Sequence, residues 1–306
     1  MLVSIVIPTY NEAADIHETL DSLMALTYAP VEVLVVDASS DETPQIVTSY
    51  SPDRVRLIRQ SRGHGRAAAR NEGILLARGE IVIILNADVR LPSNFIQSVL
   101  PYYANGADYV LVESRVANLE HATARYVQAL HEFHYPPRPN VEARINWTEG
   151  FSCRREAALE VNLIPEGDSV TLVAGEDSWF GDKLESAGYR KAFDHSILVT
   201  HVMPPDLPGF WRQRVGRGQG TVQIWHERHG WSVSKLRWAV ARLTCLIGLG
   251  LLLPVPALWR GWRLTRYSPR GYADWIAMTF IDWIASAANV RGLWVGLSEV
   301  SRATEN

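Results

Sequence analysis

The sequence predicts an α/β protein with a mainly parallel sheet, helices on both of its faces, and a hydrophobic helical segment after it. Three observations lead there. Short apolar runs suited to buried strands alternate with segments of helical spacing. Polar residues gather just after the strands, where open α/β sheets bind ligands. The 306 residues are 47% hydrophobic, enough to bury a large core.

The first strand is VSIVI, residues 3–7, followed by Pro8. Ile16, Leu20 and Leu23 have helical spacing within residues 16–26. VEVLVVD, residues 31–37, is a second buried strand, closed by an acid, and residues 43–49 form the next helix. RVRLIRQ (54–60) is a third strand, residues 66–77 a helix, residues 80–85 a fourth strand, and DYVLVES (108–114) a fifth. The strand ends then carry Pro8-Thr9-Tyr10-Asn11-Glu12, Asp37-Ala38-Ser39-Ser40-Asp41 and Asn86-Ala87-Asp88. Residues 136–146, with their prolines, and Pro204–Gly220, rich in Pro, Gly and Arg, read as loops.

The net charge of −3 gives no reason to expect a nucleic-acid partner. Cys153 and Cys245 lie too far apart for a metal-ligand spacing, which suits free thiols in a reducing compartment. The N-terminal residues carry no basic leader pattern and already read as a strand, so the Asn146-Trp147-Thr148 sequon is a chance match. Of the eleven tryptophans, nine lie after residue 210. Leu243–Trp259 is uncharged, with Arg237 and Arg242 before it and Arg260, Arg263, Arg266 and Arg270 after it. Such a run is at the short limit for crossing a bilayer, and its basic and tryptophan flanks suit a membrane interface. Three readings remain open: a membrane-attached hairpin, one span plus an interfacial helix, or a soluble hydrophobic hairpin.

Five segments in order, SIVIPTYNE (4–12), VEVLVVDASSDET (31–43), GRAAARNEGILLARGEIVIILNAD (65–88), GEDSWFGDKLESAGYR (175–190) and VTHVMPPDLPGFWRQRVGRGQG (199–220), resemble the family 2 glycosyltransferases. The resemblance covers about residues 1–225 and implies a GT-A fold with a Rossmann-like sheet and a nucleotide-diphosphate sugar, most simply a UDP-sugar, as donor. It implies a glycosyltransferase domain at 1–225, with a nucleotide-binding half (1–115) and an acceptor half (116–225), and membrane-associated helices at 226–306. The last motif is most similar to transferases of exopolysaccharide and surface-glycan pathways. That implies an acceptor that is lipid-linked or otherwise membrane-held, at the cytoplasmic face of the membrane.

The motifs can be matched to chemistry residue by residue. Asp37 is placed to accept a hydrogen bond from a pyrimidine, with Pro8, Thr9, Tyr10 and Glu12 around base and ribose; Ala38 stands where the family often has a second acid. Arg66 and Arg70 share a helix face behind Gly63-His64-Gly65, and a guanidinium suits phosphate oxygens. Asn86-Ala87-Asp88 occupies the place of an Asp-x-Asp metal motif with its first carboxylate missing. Mn²⁺ or Mg²⁺ is often held by one or two carboxylates plus substrate phosphates, so Asp88 would be the direct ligand, joined by His201. Asn86 would offer a carbonyl, or bond the sugar or a metal-bound water. Asp177 corresponds to the family's base in a single inverting displacement, with Glu176 orienting it. Gly150 and Phe151 fall in the segment expected near the acceptor sugar. Arg214 and Arg217, beside Arg212, would meet a diphosphate or, equally, lipid headgroups. Gln213-Arg214-Val215-Gly216-Arg217 lacks the Gln-x-x-Arg-Trp of processive synthases, so one sugar per turnover is expected. The alternative function is a non-catalytic membrane partner that binds nucleotide sugar.

Overall fold

The computed structural model describes residues 1–136, 146–253 and 255–305, so all but the ends of the expected 136–146 loop lies outside the described residues. Packing divides the chain into two interleaved units. One comprises Met1–Arg115, Arg144–Pro165 and Asp177–Val202; the other comprises Val116–Ala143, Glu166–Glu176 and Met203–Asn306.

The first unit holds an eight-stranded sheet in the order β3-β2-β1-β4-β7-β6-β8-β5. Its strands are β1 Val3–Thr9, β2 Val31–Asp37, β3 Val55–Arg59, β4 Ile81–Ile84, β5 Val89–Arg90, β6 Tyr109–Val116, β7 Phe151–Arg154 and β8 Lys191–His201. β1 pairs in parallel with β2 and β4, and β2 with β3. This is the half that alternation with helices α1 (Ile16–Met24), α2 (Thr43–Thr48) and α3 (Gly65–Leu76) predicts. β7, however, runs antiparallel to β4 and β6, and β5 antiparallel to β8. The sheet is therefore mixed, not mainly parallel. Two strands as short as β5 and β7 leave no periodic signature in the sequence.

β1 is buried throughout, and Ile16, Leu20 and Leu23 of α1 are fully buried in the same core as Ile5, Val33 and Ile83. Each such side chain contributes about 1.5–3 kcal/mol through burial. Tight packing also fixes small residues: a Cβ on Gly73 of α3 would stand 2.3 Å from Val6 Cγ1. Helices α4 (Phe95–Ala104), α6 (Arg155–Glu160) and α7 (Glu176–Ser186) complete the elements interleaved with the strands.

The second unit is helical: α5 (Ala122–His134), α8 (Leu207–Glu227), α9 (Val233–Leu252), α10 (Val255–Leu264) and α11 (Trp275–Glu305). The expected loop at 204–220 is a correction, because α8 occupies it from Leu207, and the expected boundary at 225 falls inside the same helix. Asp206 caps α8 by accepting from the Gly209 amide at 2.7 Å. Its glycines serve close helix contact rather than a turn. A Cβ on Gly218 would lie 2.3 Å from the Asn289 carbonyl oxygen, and one on Gly292 of α11 would lie 2.1 Å from the Val215 carbonyl oxygen. Among the described residues no single helix is long and apolar enough to cross a membrane. The pair Val233–Leu252 and Val255–Tyr267 is apolar enough together, but bent by 84°.

Candidate active site

The site is built at the edge of the first unit where β1, β2 and β4 end. Register pairs Thr9 with Asp37, and the Thr9 hydroxyl donates to Asp37 Oδ1 at 2.8 Å. The Ser39 amide donates to the same oxygen at 3.2 Å. Arg59, which pairs with Asp37 across β2 and β3, donates to Oδ2 and, at 3.0 Å, to the Ser39 carbonyl. Asp37 itself is fully buried. Pro8 is buried in β1, whereas Tyr10 is 67% exposed and presents an aromatic face. The following turn is laced to its neighbour: Asn11, at φ 57°, donates from its amide to Ser39 Oγ at 2.7 Å, and the Glu12 amide donates to Thr43 Oγ1 at 2.9 Å. Burial pushes the Glu12 carboxyl up to about 7, and the negative charges of Asp88, Asp15 and Asp41 add to it, while Arg66 opposes.

Asp88 and His201 come together. β5 pairs with β8, with Val89 opposite His201, and His201 Nε2 lies 3.0 Å from Asp88 Oδ2. Burial would raise the Asp88 carboxyl, but the His201 charge and hydrogen bond, helped by Arg66, hold it below the ordinary value. Its Oδ1 is buried with no hydrogen-bond partner among the described residues. A buried carboxylate oxygen left open is costly unless something fills its place, and here it fits a cation. His201 Nδ1 lies 3.5 Å from Glu149 Oε1, an acid that the sequence reading passed over. A cation would have to displace the proton that Nε2 donates to Asp88, and Glu149 on the Nδ1 side favours the tautomer that leaves Nε2 unprotonated. Among the described residues no cluster of three or more His, Cys, Asp or Glu side chains could hold a metal ion. Asp88 and His201 alone form an incomplete shell that phosphate oxygens would have to finish.

Asn86 does something else. Its Oδ1 accepts from Arg70 Nη2 at 2.7 Å, and the same nitrogen donates to Thr148 Oγ1 at 3.0 Å. The amide oxygen is thus engaged by an arginine. Arg70 is only 1% exposed; it braces this strand end from inside, whereas Arg66, at the start of α3, is exposed. Ala87 contributes a carbonyl that accepts from Thr19 Oγ1 at 2.6 Å.

Gly150 has φ +74°, and a Cβ there would meet Val112 at 2.9 Å and Val199 at 3.0 Å. Phe151 is buried against Tyr109 and Phe180, with ring centroids at 5.9 and 5.7 Å. Both pack into the interior of the first unit. Asp177 lies at the start of α7, half-buried, with Oδ1 accepting from the Ser178 amide at 2.8 Å; Glu176 is 1% exposed. In the second unit, Arg214 is buried with its guanidinium carbon 4.8 Å from the Phe210 ring centroid and 6.0 Å from that of Tyr126. Its Nε and Nη2 have no hydrogen-bond partner among the described residues. Burial, then the charge of exposed Arg217, lowers the Arg214 guanidinium to about 9.

The profile of the family described as Glycosyl transferase family 2 matches residues 4–164. Glycosyltransferase AglE of Haloferax volcanii is 30% identical over 240 residues, covering 73% of this chain and 74% of AglE. Poly-beta-1,6-N-acetyl-D-glucosamine synthase of Staphylococcus epidermidis is 26% identical over 247 residues, covering 77% of this chain but 58% of the synthase. Among solved structures, the mannosyltransferase PcManGT of Pyrobaculum calidifontis, in complex with GDP-Man and Mn²⁺, superposes with TM-score 0.63 and 25% identity over 96% of this chain and 87% of that one. The TarS 1–349 fragment of S. aureus with UDP-GlcNAc superposes with TM-score 0.56 over 99% and 92%, at 17% identity, and shares the fold. The sheet and its helices are those of the GT-A fold. With a profile match over half its length and AglE aligned along nearly three quarters, the chain belongs to glycosyl transferase family 2 and is a nucleotide-sugar glycosyltransferase.

Proposed function

We propose that this glycosyltransferase moves one sugar from a nucleotide-diphosphate sugar to a lipid-linked or other membrane-held glycan acceptor, with inversion at the anomeric carbon. The observation that carries the reading is Asp88, with one oxygen on His201 and the other buried and open, in the unit that also contains Asp37 and Asp177. Asp37, Thr9 and Tyr10 hold the base and ribose, and Arg66 meets the diphosphate. Asp177, more accessible than buried Glu176, takes the proton from the acceptor hydroxyl. That oxygen attacks the anomeric carbon from the face opposite the diphosphate; the carbon–oxygen bond to phosphate breaks, and its electrons leave with the nucleoside diphosphate. Mn²⁺ or Mg²⁺, held by Asp88 and His201, would stabilise the negative charge that builds on that leaving group.

The Mn²⁺ in the PcManGT structure and the surface-glycan relatives support this reading. A UDP-sugar remains the expected donor, with GDP-mannose, the ligand of PcManGT, as its competitor. The test is transfer across a panel of UDP-, GDP- and dTDP-sugars in detergent, with membrane extract as acceptor source, in Mn²⁺, Mg²⁺ or EDTA. One donor should turn over, with the product anomer inverted. EDTA and Asp88→Ala should abolish turnover. Asp177→Asn should lower kcat by about 10²–10⁴-fold while nucleotide binding persists. Turnover indifferent to EDTA would remove the metal; full activity of Asp177→Asn would remove the base.

A further inference from the structure

The second unit carries an apolar surface with an unusual charge setting. From Val233 to Ala273 the sequence has seven basic residues and no acid, in a chain whose net charge is −3. Apolar exposure is concentrated on the same stretch: Leu252 is 80% exposed, Leu253 61% and Val255 69%, at the junction of α9 and α10. Ile276, near the start of α11, is 80% exposed as well. Contiguous apolar surface of this kind marks an interaction site. Arginines are stacked over its tryptophans: Arg242 over Trp238 at 5.5 Å, Arg263 over Trp259 at 4.6 Å, and Arg266 over Trp262 at 5.1 Å. Arg260, by contrast, is held by Asp282 at 2.8–2.9 Å.

Dimensions decide how such a surface meets a bilayer. The uncharged part of α9, from Leu243 to Leu252, is about 15 Å long at 1.5 Å per residue. That is half of the roughly 30 Å hydrocarbon core. The chain then turns by 84° into α10, where arginine and tryptophan alternate. Tryptophan and arginine together belong at the headgroup level, so α10 suits a position along the interface rather than a return through the core.

We infer that the C-terminal helices enter one leaflet only, with the α9–α10 junction dipping into the acyl chains and the Arg-stacked tryptophans lying at anionic headgroups. This rests on the reading of a membrane-held acceptor and adds how the enzyme reaches it. The occupant is an anionic lipid surface, because the charge of the stretch is wholly positive.

The chain contains its own probe: Cys153 is buried and Cys245, within the uncharged part of α9, is exposed. The full-length protein would be mixed with phosphatidylcholine vesicles, with or without phosphatidylglycerol, and treated with a membrane-impermeant maleimide. Cys245 should label readily without lipid and at least about tenfold more slowly with phosphatidylglycerol vesicles. Tryptophan fluorescence should be quenched more by lipids brominated near the headgroup than by lipids brominated at the chain ends, and less so in Trp259→Phe/Trp262→Phe. Leu252→Asp/Leu253→Asp should lower vesicle partition by about a hundredfold, roughly tenfold per side chain. Arg263→Gln/Arg266→Gln should lose binding mainly to the anionic vesicles.

Cys245 labelling that ignores lipid would overturn the inference, as would a lipid-free dimer that already shields Cys245. Labelling of Leu253→Cys, in a Cys245→Ser background, by reagent trapped inside the vesicles would mean that the helices span. Donor hydrolysis measured in the same samples without vesicles reports separately on the transferase reading, so the failure of one is distinguishable from the failure of the other.

Discussion

Glu12 is an acid among acids, and its position predicts a pH-dependent loss of stability. Burial, followed by repulsion from Asp88, Asp15 and Asp41, raises its carboxyl from 4.5 to about 7. A group whose folded-state pKa lies above its unfolded one favours folding fully below the unfolded value and loses that contribution as pH rises through the folded value. The relevant window is therefore pH 4.5 to about 7. At about 1.4 kcal/mol per pH unit, ionising Glu12 in the fold costs up to roughly 3 kcal/mol by pH 8. Glu12→Gln removes the charge and keeps the shape. Its unfolding free energy in EDTA should lie within about 1 kcal/mol of wild type at pH 5 and exceed it by about 3 kcal/mol at pH 8. The assay is urea unfolding followed by circular dichroism at both pH values. A difference between the two proteins that is the same at pH 5 and pH 8 would refute the reasoning.

Further outcomes follow from the same geometry. Arg70→Met leaves Asn86 Oδ1 and Thr148 Oγ1 without their shared donor and should cost about 2–4 kcal/mol in urea unfolding. Glu149→Gln keeps the fold but weakens the hold on His201 Nδ1; Mn²⁺ affinity, read by titration calorimetry with nucleotide diphosphate present, should fall about 10–100-fold. Gly292→Ala drives a methyl against the Val215 carbonyl and should destabilise by about 1–3 kcal/mol in the same unfolding assay. Gly248→Ala in α9, where a Cβ meets nothing within 4 Å, should instead gain up to about 1 kcal/mol of helix stability.

What the sequence made legible follows from the range of the signals. β1 to β4 and α1 to α3 were readable because each is a local periodicity with its own turn residues. Asp88 beside His201 was expected from the motifs. Glu149 was not, because nothing about an acid before a glycine says that a histidine fifty residues later will meet it. Arg59 was likewise silent: only the register of β3 on β2 puts it on Asp37. Helix α8 was mistaken for a loop because its glycines look like flexibility. Their reason lies in α11, whose backbone comes too close for any larger residue. Phe151 was expected near the acceptor, and its burial depends on Tyr109 and Phe180 from separate elements.

The Asn86-x-Asp88 pattern turns on the same kind of long-range fact. A carboxylate at position 86 would face the buried guanidinium of Arg70 at the distance now spanned by the amide, 2.7 Å. An ion pair there would gain Coulomb energy but commit the carboxylate to arginine rather than to a metal. The amide satisfies the same donor without adding a second negative charge beside Asp88, where Glu12 and Asp15 already repel one another. Asp88 is left as the carboxylate with an open oxygen, and the deficit in the shell falls to His201 and to the substrate's own phosphates. Affinity for the cation then depends on the nucleotide being present. On this argument Mn²⁺ should bind weakly to the protein alone and markedly more tightly with nucleoside diphosphate. Asn86→Asp should change neither affinity by more than a few-fold.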